Sequence, residues 1–268
     1  MNPRIFGAFA GALIFGGLTV SRFERDAAAE LRNGLGGPHP LVRVHAGIGL
    51  ESFAGRVPSI TIYASKFQTD GLPFHTEPNR SKRGIIERLR IQLQDFELGG
   101  LHVESLDASI PHCRFDLGLA VAHHRFRLSR SGTGTVTVIL RDGDLEPFIL
   151  KKFPEVRAVH VLIQGDRASV DGFAMIGPLA AQFRADASLG VRNGTQLVLR
   201  DARVSLAGRP ADPKLANALT SLFDPLIDLN KDMHLENSVN VQTIELSDHQ
   251  LIGKGEVCIP AASGPETN

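Results

Sequence analysis

Between residues 21 and 260 the chain switches between two periods: short stretches with apolar residues every three or four positions, and longer ones with apolar residues at every second position. The helical period occurs three times. In SRFERDAAAELRNGLGG, Phe23, Ala27, Leu31 and Leu35 follow at four-residue spacing, and Gly36 to Pro38 stop the element. In DGDLEPFILKKFP, Asp142 or Asp144 can cap, Leu145, Phe148, Ile149 and Phe153 share one face, and Pro154 ends the helix. In ADPKLANALTSLFDPLIDL, Asp212 is the N-cap with Pro213 at the first helical position, and Leu215, Leu219, Leu222, Phe223 and Leu226 form the stripe. Pro225 kinks or ends that helix. Each predicted helix leads into a strand: VRVHAGIG, VRAVHVLIQG and VNVQTIEL.

Further strands alternate cleanly. Ile60 and Ile62, then Leu89, Ile91 and Leu93, then Val136, Val138 and Leu140 each interleave with polar or smaller residues, the pattern of antiparallel strands with one covered face. Turns are expected at Gly99-Gly100, Gly132 to Gly134, Asp142-Gly143 and Asn193-Gly194, the last being the strongest hairpin signal. Many strands with three short amphipathic helices predict an α+β fold, an extended and strongly curved antiparallel sheet wrapped around the helices. With no Pro- or Ser-rich linker, residues 22–260 read as one elongated domain and 261–268 as a disordered tail.

Ahead of the domain, residues 5–20 carry no charge and follow Arg4. As a helix this run spans about 24 Å, short of the roughly 30 Å hydrocarbon core of a bilayer. It suits a signal peptide or a short membrane anchor, which makes residues 1–21 a leader; cleavage after Ser21 and retention are the two outcomes. The rest is expected to be exported. Export permits a disulfide between Cys113 and Cys258, the alternative being two small buried apolar residues.

Composition narrows the function. Lys plus Arg (29) balances Asp plus Glu (29), so no net field draws the chain to nucleic acid. Phe 15 with Tyr 1 and no Trp leaves few stacking platforms for sugars or bases. There is no P-loop, no GxGxxG after a strand, no HExxH, no CxxC and no GxSxG. The adjacent pairs His112-Cys113 and His123-His124 would point to opposite faces of a strand and make poor chelates. No catalytic set, metal site or cofactor is predicted. Two basic stretches stand out: NRSKRGIIERLR, with Arg80, Lys82 and Arg83, and AHHRFRLSR, expected as a strand with His123, Arg125 and Arg127 on one face. They read either as contacts for anionic headgroups and membranes or as solvated surface.

The order of these elements resembles the LmeA-like phospholipid-binding family of bacterial envelope proteins. Val42, Val44 and Gly47, then Gly55-Arg56, then Ile60 and Ile62, then Gly71-Leu72 follow its opening, although Gly49 stands where many members carry proline. The resemblance continues through IERLRIQLQDFELGGLHVESLDASI, TGTVTVILRDGDLEPFILKKFP and IELSDHQLIGKG. It implies a fold similar to the tubular lipid-binding (TULIP) superfamily, with an apolar groove between sheet and helix. It also implies a phospholipid or other diacyl lipid as partner, no enzymatic activity, and a place in the cell envelope, in lipid transport or envelope maintenance. The groove residues would then be Leu145, Phe148, Ile149, Phe153, Leu215, Leu219, Leu222, Phe223 and Leu226. Taken one residue at a time, the same side chains read as packed core. A scaffolding envelope protein with a filled core is the alternative function.

Overall fold

The computed structural model describes residues 20–262 except 48, 50–51, 53–54, 72–73, 124, 177–178 and 237. The run expected to be a leader, apart from its final residues, and the segment from 263 onward, expected to be part of a tail, lie outside the described residues. Among those described, no helix is long and apolar enough to cross a membrane.

The chain runs α1 (residues 20–34), β1 (Leu41–Gly47), β2 (Arg56–Ser65), β3 (Gln68–Thr69), β4 (Gly84–Leu98), β5 (Leu101–Phe115), α2 (Leu117–His123), β6 (Leu128–Arg130), β7 (Gly134–Arg141) and α3 (Asp142–Lys152). It continues through β8 (Val156–Gln164), β9 (Arg167–Ile176), β10 (Leu179–Arg192), β11 (Gln196–Leu206), β12 (Arg209–Pro210), α4 (Pro213–Leu222), β13 (Ile227–Asp228), β14 (Val239–Ser247) and β15 (Gln250–Val257). The fold is α+β and rich in curved, mostly antiparallel sheet, as the alternation predicts. Two features differ from the expectation. The described residues form two sheets, one ordered β1-β2-β4-β5-β7-β15-β14 and one ordered β12-β11-β10-β9-β8, and β2 pairs with β4 in parallel. Residues 66–83 separate those two strands, enough chain for a parallel crossover, and a two-residue period is the same for either direction.

The longest strands of the first sheet, β4 and β5, form one hairpin. β4 and β5 turn through Gly99 (φ 59) and Gly100 (φ 90), a two-residue connection with both angles positive, where glycine is unstrained. The register is unbroken from Gly84↔Phe115 to Leu98↔Leu101, and within it Asp95 and His112 take positive φ of 51 and 53. Ile86, Leu89, Ile91, Leu93, Phe96 and Leu98 are all buried although their spacing is uneven, the inward face shifting by one residue after Ile86 and again after Leu93. Cys113 is a free, buried thiol on the partner strand, its pKa raised chiefly by burial. Ala261 and Ala262 close the described chain by pairing with Thr76.

α3 joins the sheets. Asp144 caps it by accepting the Arg141 N–H at 3.1 Å, while α4 is capped by Asp212, which accepts from the Lys214 N–H at 2.9 Å. The acidic residues at the start of α3 each meet a histidine from another element: Asp142 with His249 at 2.7 Å, Asp144 with His102 at 2.8 Å, Glu146 with His160 at 2.8 Å. At its other end the Lys152 ammonium bonds the Pro225 and Leu226 carbonyls and Asp232. The edges of the two sheets touch where the Val241 N–H donates to the Gly194 carbonyl at 2.7 Å and the His249 N–H to that of Ile163 at 3.0 Å.

His102 is the most constrained of the three histidines, since its second nitrogen also meets Asp95 at 3.0 Å. Donating to two carboxylates at once requires both nitrogens protonated. Burial opposes that charge, but the bonds to Asp95 and Asp144 outweigh it and raise the pKa above the ordinary 6.5. With the folded value raised, the stabilisation is fully present below the unfolded pKa and is lost as pH climbs through the folded one. His102→Gln should therefore lower the melting temperature more at about pH 5 than at about pH 9. An equal loss at both would leave the ring a packing role alone.

Candidate functional site

The apolar stripes of α3 and α4 close on the second sheet. Leu145, Phe148, Ile149, Phe153, Leu219, Phe223 and Leu226 are buried, with Leu215 and Leu222 half-buried at the margin. Phe223 lies at the centre, edge-on to Phe153 with centroids 5.0 Å apart and tilted against Phe183 at 6.0 Å. The gap left among these side chains is about 30 Å³. That is room for about one water molecule. The residues nominated as groove lining are thus brought together, in a core packed almost to closure.

The larger apolar space lies elsewhere, over the inward face of the first sheet, and has a volume of about 150 Å³. Its floor comes from β4 and β5 (Ile91, Leu93, Val103, Leu106), β7 (Val136, Val138, Leu140) and the inward face of β15 (Leu251, Gly253, Gly255, Val257). Gly253 pairs with Val138 and Ile244, both cavity residues, and a Cβ built on it meets nothing within 4 Å, so the missing side chain is part of the void. The roof is Ile227, Leu229, Met233 and Leu235 with the β10–β11 hairpin end.

The roof is a braced loop. Asp228, 4% exposed, accepts from the Asn230 N–H at 3.1 Å, the Lys231 N–H at 3.2 Å and Gln196 Nε2 at 2.8 Å. Burial raises its carboxyl pKa, but these bonds dominate and the net shift is downward. Asp232 accepts the Asp228 N–H at 2.7 Å and the Lys152 ammonium at 2.5 Å, tying roof to α3. Few polar side chains reach the cavity, Thr195, Gln196, Lys254 and Cys258 among them.

A second compartment of about 280 Å³ lies under α1, with Phe23, Ala27 and Leu31 above Val44, Ile60, Ile62 and Leu89. Phe74 lines both spaces, and Glu30, His75, Glu77 and Arg127 line this one. Arg127 pairs with Glu30 and, at 3.0 Å, with Glu77, which also holds Arg80 at 2.5 Å. The basic stretches therefore converge through Arg80 and Arg127, while Arg125 is exposed beside them and Lys82 and Arg83 are exposed on the way into β4. The strand expected for AHHRFRLSR is corrected: α2 runs to His123, residues 125–127 are irregular, and strand begins at Leu128. Asp116 accounts for it by capping α2 through the Leu119 N–H at 3.1 Å. Among the described residues no three His, Cys, Asp or Glu side chains gather as metal ligands.

The sequence reading missed the β7–β15 wall. Its signal was present in LIGKGEV, where two glycines fall on the inward face between Leu251 and Val257.

An apolar cavity on the first sheet, adjoining a compartment with a charged rim, is a shape that suits an amphiphile. Residues 74–256 match the LmeA-like phospholipid-binding family, and the chain belongs to it. A lipid-binding role follows from that membership. No curated protein and no solved structure matches the chain.

Proposed function

We propose that the protein is a non-enzymatic carrier or holder of phospholipid in the bacterial cell envelope, serving lipid transport or envelope maintenance. Residues 1–21 would bring it to the membrane as leader or anchor. The observation that carries this reading is the apolar cavity. At roughly 24 cal/mol per Å³, an empty void of about 150 Å³ forgoes about 3 to 4 kcal/mol of packing, which an acyl chain would restore. A water molecule would find too few polar partners there.

The scaffolding alternative fits the closed core under α3 and α4 but gives no reason for a second, open one. Organic extraction of the full chain purified in mild detergent, followed by mass spectrometry, separates the two. The expected result is co-purified diacyl phospholipid in near-stoichiometric amount. Its absence, together with no uptake of a fluorescent acyl probe, would favour the scaffold.

A further inference from the structure

The compartment under α1 differs from the apolar cavity in its rim, and Arg127 organises that rim. The Arg127 Nε faces Glu77 at 3.0 Å, Nη2 donates to Glu30, and Nη1 donates to the Phe126 carbonyl at 2.9 Å. A guanidinium has five N–H donors. The described contacts engage three, which leaves one further donor on each terminal nitrogen, and the two terminal nitrogens of a guanidinium can bind two oxygens of one phosphate. Around it, Arg80 is held on Glu77 at 2.5 Å and the charge of Arg125 reaches Glu30. Three guanidinium groups against two carboxylates leave one positive charge uncompensated, which matches the single negative charge of a phosphodiester.

Position supports the same assignment. The floor of this compartment is hydrocarbon, Val44, Ile60, Ile62 and Leu89, and it meets the predominantly apolar cavity at Phe74. Polar rim, apolar floor and dry cavity follow one another along one sheet face, in the order of headgroup, glycerol and tails in a phospholipid.

We propose that the rim seats the phosphodiester of the lipid whose tails occupy the apolar cavity, with Arg127 as the contacting group, so that the lipid lies head under α1 and tails toward β14 and β15. This rests on the lipid reading above and adds the headgroup class and the direction of the ligand.

The test measures binding to the full chain by native mass spectrometry after release from mild detergent. The probes are dioleoyl phosphatidylglycerol, dioleoylglycerol with the same tails and no phosphate, and inorganic phosphate. Phosphatidylglycerol should bind about ten-fold or more tightly than dioleoylglycerol. Arg127→Gln should erase that preference while leaving dioleoylglycerol binding unchanged. Because this change also strips partners from Glu30 and Glu77 and could loosen α1, Glu30→Gln serves as the second variant. It removes a negative charge from beside Arg127, so phosphatidylglycerol affinity should rise several-fold against constant dioleoylglycerol affinity. A purely structural ion pair would not give that gain.

Equal binding of the two lipids by the native chain, or variants that shift both lipids alike, would overturn the headgroup seat. So would inorganic phosphate displacing nothing from dioleoylglycerol yet binding by itself as tightly as the lipid, which would make the rim a free-anion site. Loss of binding to every lipid in the native chain would instead sink the cavity reading.

Discussion

Phe223→Ala should destabilise the protein by about 3 to 5 kcal/mol, the range for an aromatic ring removed from a packed core. For a chain of this size that lowers the melting temperature by roughly 10 °C. The ring has protein on every side: Phe153 edge-on at 5.0 Å, Phe183 at 6.0 Å, and Ile149 and Leu226 around the same 30 Å³ gap. Lipid retained by the folded fraction should be unchanged, since the ring lies outside the walls of the larger cavity. A small loss of stability, or lipid release with little loss, would place the ligand under α3 and α4.

Gly253→Leu should do the reverse. The new side chain would enter open space in the cavity wall opposite Val138 and Ile244. Burying it should add on the order of 1 to 3 kcal/mol, while lipid co-purification falls about ten-fold, one acyl-chain contact of that size being displaced. Gly255 is the control on the same strand face: a Cβ there would lie 2.2 Å from the Asn240 carbonyl oxygen, so Gly255→Ala should destabilise with no gain in packing. Gly253→Leu protein that melts higher and still carries a full complement of phospholipid would mean the lipid lies elsewhere.

Read together, these substitutions separate two apolar interiors that look alike in sequence. The stripe Leu145, Phe148, Ile149 and the alternation Val136, Val138, Leu140 both announce a dry face. One is closed by aromatic rings arriving from α4 and β10. The other is roofed by a loop tied by hydrogen bonds to the carboxylates of Asp228 and Asp232. Nothing within a local window distinguishes the two, because the difference lies in what arrives from far along the chain. The rim shows the same dependence. Arg127 and Glu30 are 97 residues apart, and neither carries a local mark of the other.

What the sequence determined by itself was local and compositional: the α3 and α4 helices with their caps, the Gly99-Gly100 and Asn193-Gly194 turns, the α+β class, and the order of elements that marks the family. These follow from backbone preference and side-chain period, which act over a few residues. The tertiary structure alone decided that β2 and β4 run parallel, that the sheet divides in two, that His102 bridges Asp95 and Asp144, and which apolar surface closes and which stays open. The reason is physical: alternation records that a face is kept from water, and whether protein or ligand keeps it dry depends on chain folded against it from elsewhere.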